Sequence, residues 1–287
     1  MPRPIDHLVL AVRDFDAARA TFQRLGFTLT PVARHPFGTA NSLAQFDGSF
    51  LEILTVAEPA AIPAGDGTHF SFGAFNRDYL AGGEGLSMLV LKSGDAAADR
   101  ADFAAHDLRV YEPFGFERVA TGPDETPLKV AFSLTFTGDS RLTRAGFFTC
   151  QHHYPENFWR SEFQRHANGA LNIAAAVMVT RDPADFHEFL THFTGVHELT
   201  ATSFGVTFAL GDGSRVEVMS PLGFKAFFGE DVEPDPRRFL GLRVKVTDLG
   251  AVAALLTENR VPFTGIAGAL VVPSAVAHGA ALAFEAS

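Results

Sequence analysis

Ile5-Asp6-His7-Leu8-Val9-Leu10-Ala11-Val12-Arg13-Asp14 is an apolar run closed by a basic residue and an aspartate, and the same phrasing returns three more times along the chain. Leu86-Ser87-Met88-Leu89-Val90-Leu91 leads to Asp95, Ala174-Ala175-Ala176-Val177-Met178-Val179 to Asp182, and Gly241-Leu242-Arg243-Val244-Lys245-Val246 to Asp248. A short apolar run with a polar stop reads as a buried strand. An aspartate at its end reads as a helix N-cap, because its carboxylate accepts from the free N–H groups of the first turn. Pro183 follows the third of these aspartates, where a helix tolerates proline best. Four strand-to-helix starts therefore organise the chain.

After the first cap, Phe15, Ala18, Phe22 and Leu25 recur three and four residues apart, which predicts an amphipathic helix that Gly26 ends. Asn41 to Phe46 and Ser49 to Thr55 flank Asp47-Gly48, a hairpin turn, and Phe204 to Leu210 and Arg215 to Met219 flank Gly211-Asp212-Gly213 in the same way. One strand, one helix and about three further strands make a βαβββ module. Modules are expected over residues 1–56, 85–153, 172–221 and 238–287. The fold class is then α+β, four tandem modules pairing into two domains, 1–153 and 172–287, with 154–171 as the link. Tyr111 to Pro127, with its glycines and prolines, reads as a loop inserted before the hairpin of the second module.

Composition bounds the function. A chain of 287 residues suits two domains, and 47% hydrophobic with 20% charged residues is globular. The 29 phenylalanines against one tryptophan mean either a ring-packed core or an apolar cavity lined by rings. A formal charge of −10 without a dense basic run argues against nucleic acid. Cys150 alone excludes an intrachain disulfide and points to a reducing compartment. No signal-peptide pattern precedes the first strand, and the longest apolar runs are too short to span a bilayer. The expectation is a cytoplasmic protein without membrane or nucleic-acid partners, acting on a small molecule, with a homodimer as the possible assembly.

The module that opens Ile5-Asp6-His7-Leu8-Val9 and closes Gly48-Ser49-Phe50-Leu51-Glu52-Ile53-Leu54 resembles those of the vicinal-oxygen-chelate superfamily of glyoxalases, bleomycin-resistance proteins and extradiol dioxygenases. His35-Pro36-Phe37-Gly38-Thr39-Ala40-Asn41-Ser42-Leu43, between those ends, resembles its glyoxalase-like domain group. The resemblance implies that two modules pair into an open cup and that one divalent metal (Fe, Mn, Ni or Zn) is held by inward residues of the first and last strands. In the first module these are His7 and Glu52, with Glu52 also the catalytic carboxylate. In the second module the first-strand position falls on Ser87, which is not a usual ligand.

A further donor is needed, and Gly146-Phe147-Phe148-Thr149-Cys150-Gln151-His152-His153 offers one. Counting from Gly146 as from Gly48 puts Cys150 at the level of Glu52, and alternation turns His152 to the same face. His7, Glu52 and His152 would make a two-histidine, one-carboxylate face, with His153 in place of His152 if a bulge shifts the register. The bland alternatives are an exposed sheet face for Glu52 and a solvated strand end for His152. His35 reaches the cup from its loop or holds the turn before Pro36. Trp159 and Arg160, with Ser87, His35 and His153, are the substrate-binding candidates; an arginine among aromatics suits an anion, and the other reading of this segment is a docked linker.

The third and fourth modules place Ala175 and Gly241 at the level of His7, and Glu217 and Ala283 at that of Glu52, so a second metal is not expected. The sequence lacks a nucleophile elbow and a phosphate-binding glycine loop. The expected activity is a metal-dependent, glyoxalase-like lyase or isomerase acting on an oxygen-rich or aromatic metabolite. The alternatives are an Fe(II) extradiol-type dioxygenase and a non-catalytic binding protein.

Overall fold

In the computed structural model, which describes residues 2–121 and 126–287, each of the four phrases is a strand running into a helix. The first module is β1 (Ile5–Ala11), α1 (Phe15–Arg24), β2 (Ala33–Arg34), β3 (Thr39–Gln45) and β4 (Phe50–Val56). After α2 (Phe72–Ala81) comes the second, β5 (Gly85–Lys92), α3 (Ala96–Ala105), β6 (Phe114–Thr121), β7 (Pro127–Thr137) and β8 (Gly146–His152). A short α4 (Pro155–Phe158) precedes β9 (Ala170–Val179), α5 (His187–Thr194), β10 (Leu199–Thr202), β11 (Gly205–Ala209) and β12 (Arg215–Met219). After α6 (Pro221–Phe228) the fourth module is β13 (Arg238–Val246), α7 (Leu249–Glu258), β14 (Thr264–Ile266), β15 (Ala269–Val272) and β16 (Ala281–Ala286). The caps are the expected aspartates: Asp14 accepts from the N–H of Ala17, Asp95 from Ala97 and Ala98, Asp182 from Ala184, and Asp248 from Gly250 and Ala251.

The strands form two eight-stranded mixed sheets, ordered β2-β3-β4-β1-β5-β8-β7-β6 and β10-β11-β12-β9-β13-β16-β15-β14. In the first, β1 runs parallel to β4 and antiparallel to β5, so two modules meet back to back about a two-fold and curl into a cup; β9 and β13 repeat this in the second. The segment read as a loop carries β6, and residues 122–125 of it lie outside the described residues. Phe114, Phe116 and Arg118 alternate with polar or small residues, and this two-residue period is satisfied by a ladder with β7.

Alternation along β1 sends Leu8 and Leu10 to a core shared by both sheets and their helices, and Val9 to the cup. That core fuses the halves: the ring of Phe147 on β8 lies 4.9 Å from Phe189, 5.3 Å from Phe193 and 5.6 Å from Phe239. The segment expected as a link also docks on the N-terminal half. His166 bridges it, Nε2 donating to the carbonyl of Gln45 at 2.7 Å while Nδ1 accepts from the N–H of Thr28 at 3.0 Å.

The second cup is filled by its own side chains. α6 places Phe224 and Phe228, stacked at 4.6 Å, over Gly241, where a Cβ would stand 3.0 Å from the Phe228 ring. Glu217 takes guanidinium hydrogen bonds of 2.9 Å from both Arg215 and Arg243. No helix among the described residues is long and apolar enough to cross a membrane.

Candidate metal centre and substrate cavity

The first cup stays open where the second is plugged, and a bulge decides what faces it. Ile5 pairs with Leu91 and His7 with Val90, so Asp6 is an extra residue on β1. Two consecutive side chains, Asp6 and His7, then turn to the same side, as bulges allow. A matching bulge lies on β5, where Val9 pairs with Met88 and Leu10 with Leu86, leaving Ser87 extra. Ser87 is fully buried and donates to Oδ1 of Asn76 at 2.7 Å, on α2 beside the sheet.

The registers fix the equivalences. His7 pairs with Val90, Leu8 with Leu89 and Val9 with Met88, so the two-fold at Leu8 and Leu89 makes Met88 the counterpart of His7. Glu52 pairs with Val9 and Phe148 with Val90, so Phe148 is the counterpart of Glu52, with Cys150 and His152 successive steps further along β8.

A nearly continuous hydrogen-bonded chain crosses the cup. His35 has Nδ1 2.8 Å from Thr39 Oγ1, and its Nε2 receives Asn41 Nδ2 at 3.3 Å. Asn41 Nδ2 also donates to Glu52 Oε1 at 2.6 Å. On the far side His7 Nδ1 donates to Asp6 Oδ1 at 2.6 Å, and His152 Nε2 donates to Asp6 Oδ2 at 3.1 Å. The chain is interrupted once, between His7 Nε2 and Glu52 Oε2, which face each other at 3.7 Å. Beside Asp6 and His152 stands Cys150, and their donor atoms lie within 4.8 Å of one another.

Burial opposes ionisation of Asp6, but the charge and hydrogen bond of His152, with those of His7, outweigh it and hold the carboxyl well below the usual range. The other two groups go the opposite way. Burial raises Glu52 against the pull of His7, Asn41 and Arg118. Burial first, then the charges of Arg118 and His7, lowers His35 to about 3, so it is the neutral imidazole its two hydrogen bonds require. Burial pushes the Cys150 thiol up, with help from Asp6 and Glu52.

Rings enclose the space above these groups. Phe50 stacks on His7 at 4.2 Å, and Phe37, Phe72, Phe116, Phe132 and Phe148 line the cavity with Arg118. Trp159 stacks on His152 at 5.7 Å. Arg160 points outward to Glu162 and lies over Phe163, lining an outer groove. His153 is exposed and bonded to Ser133 Oγ at 2.8 Å. The structure thus brings His7, Glu52 and His35 to the cavity, puts His152 behind Asp6, and leaves Ser87, His153 and Arg160 outside it.

Asp6, Asn41 and Arg118 complete the site without having been singled out for it. Asp6, charged within an apolar strand, is itself the signal of a bulge, and Arg118 ends the Phe114, Phe116 alternation.

Residues 5–194 match the model of the family described as glyoxalase-like domain. No curated protein matches the sequence. Among solved structures, a hypothetical protein from Staphylococcus aureus superposes with a TM-score of 0.71 at 12% identity over 99% of both chains. The Mn(II)-bound glyoxalase from Novosphingobium aromaticivorans gives 0.55 at 13% identity, covering 100% of this chain and 83% of that one. The 2,2',3-trihydroxybiphenyl 1,2-dioxygenase from Sphingomonas wittichii gives 0.54 at 13%, covering 100% and 91%. At such identities the likeness is one of fold. The family model, matched over more than half of the chain, shows that the protein belongs to the glyoxalase-like domain family.

Proposed function

We propose that the chain is a metal-dependent enzyme in which His7 and Glu52 hold a divalent ion at the floor of the ring-lined cup, acting on a small oxygen-rich or aromatic substrate. The interruption between His7 Nε2 and Glu52 Oε2 carries the reading. With Nδ1–H committed to the Asp6 carboxylate, Nε2 faces a carboxylate oxygen in a buried place, an arrangement that calls for a shared proton or a cation. A carboxylate behind a ligating histidine is also the usual support of a metal site. The donor set, imidazole nitrogen with carboxylate oxygen, suits Fe, Mn, Ni or Zn.

A bound ion supplies Lewis-acid stabilisation of negative charge developing on substrate oxygens. The chain's own residues do the rest. Asp6 fixes the His7 ring, Asn41 holds one Glu52 oxygen and leaves the other toward the cavity, and Glu52, its affinity for a proton raised by burial, is the group placed to move a substrate proton. The rings exclude water. Lyase or isomerase chemistry follows from this arrangement; with iron as the ion, the cavity would turn to catechols and ring cleavage instead.

One observation favours a second reading, a protein that binds its small molecule without turnover: Met88 and Phe148 occupy the second module's counterparts of His7 and Glu52 and are not donors to these metals. Plasma mass spectrometry on untagged protein purified without chelator decides. Near-stoichiometric metal in wild type and Cys150→Ala, lost in His7→Ala and Glu52→Ala, supports the enzyme. Metal lost in Cys150→Ala but kept in Glu52→Ala moves the ion to Asp6, Cys150 and His152. Metal absent even after reconstitution leaves the binding protein.

A further inference from the structure

We propose that the ligand of this cavity is a small aromatic carboxylate, its ring caged by Phe37, Phe116 and Phe132 and its carboxylate taken by Arg118. The inference rests on the reading of this cup as the functional site and names the class of molecule it accepts.

Among the described residues, Arg118 is the one that lines the cavity with a full charge and no ion-pair partner. Among the described residues no carboxylate lies within ion-pair distance of its guanidinium, and Nε is buried without a hydrogen bond. Its surroundings make this costly, since a desolvated cation without a counterion is held against its preference for water. Other arginines around the two cups are matched: Arg34 with Glu58 at 3.1 Å, Arg160 with Glu162, and Arg215 and Arg243 with Glu217 at 2.9 Å. Glu52 is close enough to act on Arg118 electrostatically but is not paired with it. A chain of formal charge −10 has no need of a lone inward cation for solubility. An anion brought by the ligand removes the mismatch.

The class follows from the rest of the wall. A single guanidinium presents a planar fork that matches one carboxylate, whereas a dianion such as phosphate would find the nearest other arginines, Arg34 and Arg160, already paired with Glu58 and Glu162 and would meet the Glu52 carboxyl nearby. Phe116 packs edge-on to Phe37 and tilted on Phe132, each at 5.2 Å, so the wall offers ring faces and edges for an aromatic guest to meet. Arg118 also lines the outer groove together with Arg34 and Arg160, so it stands where the inner cavity meets that groove. A ligand entering there leads with its ring and leaves its carboxylate at Arg118, the ring's far edge toward His7 and Glu52.

The test is calorimetric titration, with Trp159 fluorescence in parallel, of the whole protein with benzoate, benzamide and cyclohexanecarboxylate. Wild type is expected to bind benzoate roughly tenfold to a hundredfold more tightly than benzamide, the worth of charge-assisted hydrogen bonds, and more tightly than the cyclohexane acid. Arg118→Gln should bring benzoate and benzamide to near equality while leaving benzamide affinity, metal content and thermal midpoint no lower than wild type; Arg118→Lys should restore part of the preference. Equal binding of benzoate and benzamide by wild type, a preference that survives in Arg118→Gln, or no saturable binding of benzoate overturns the proposal. Wild type that takes up no metal even after reconstitution yet prefers benzoate sinks the metalloenzyme reading alone, and metal-loaded wild type without the preference sinks this one alone.

Discussion

The His7 ring is fixed by its own neighbour: Nδ1 lies 2.6 Å from Oδ1 of Asp6, a residue that a regular strand would have sent to the opposite face. The bulge converts two consecutive residues into a histidine and its supporting carboxylate. Replacing that carboxylate frees the ring. Asp6→Asn is therefore expected to weaken metal affinity about 10- to 100-fold, read by competition with a fluorescent chelator. An unchanged affinity would show that Asp6 only packs.

Acid should destabilise the fold through His35. Its value falls from 6.5 to about 3 on folding, so between these limits the unfolded chain binds the extra proton and stability drops as pH falls. Urea unfolding should lose roughly 1 to 2 kcal/mol from this group between about pH 6.5 and pH 5. His35→Gln should flatten that slope, and a slope equal to wild type would count against the buried neutral imidazole. Asp6, held low, adds its own loss only below about pH 4, its ordinary unfolded range.

The second cup has little space for a side chain at Gly241, the position that Met88 holds in the first. Gly241→Ala drives a Cβ to 3.0 Å from Phe228 and 3.2 Å from Phe224, two rings already stacked and fully packed. A loss of about 1 to 3 kcal/mol is expected in denaturant unfolding. A neutral result would mean that α6 yields easily and that the second cup is open in solution.

Both halves should unfold together, because Phe147 belongs to a core that neither owns. Phe147→Ala is expected to cost about 3 to 5 kcal/mol, with Trp159 fluorescence and circular dichroism transitions still coincident. Separate transitions in wild type would show that the halves are independent.

Cys150 should ignore thiol reagents in the native protein at pH 8 and react fully in urea. It is 4% exposed, and burial with the nearby carboxyls of Asp6 and Glu52 disfavours the thiolate. Rapid native reaction would mean that the cup opens around β8.

The sequence determined the four strand-to-helix starts, the capping aspartates, the two tight hairpins and hence the paired modules, because strand alternation, helix spacing and cap chemistry are local and each residue states its part within a few neighbours. The resemblance to vicinal-oxygen-chelate modules also pointed His7 and Glu52 inward, and the regular ladder between β1 and β4 sets them on one face. What depended on pairing across modules was decided by the tertiary structure alone. One bulge on β1 turned Asp6 inward and set it between His7 and His152; its mate on β5 put Met88, not Ser87, opposite His7 in the two-fold. Counting from Gly146 reached Cys150, whereas the ladder with β5 puts Phe148 level with Glu52. Arg118 was hidden in a segment whose glycine and proline content reads as a loop, because the force that makes β6 a strand is its ladder with β7 over a ring-lined cup. A bulge changes register by one residue with no more than a charge in an apolar strand to hint at it, and a side chain's partner across the cup belongs to a distant part of the chain.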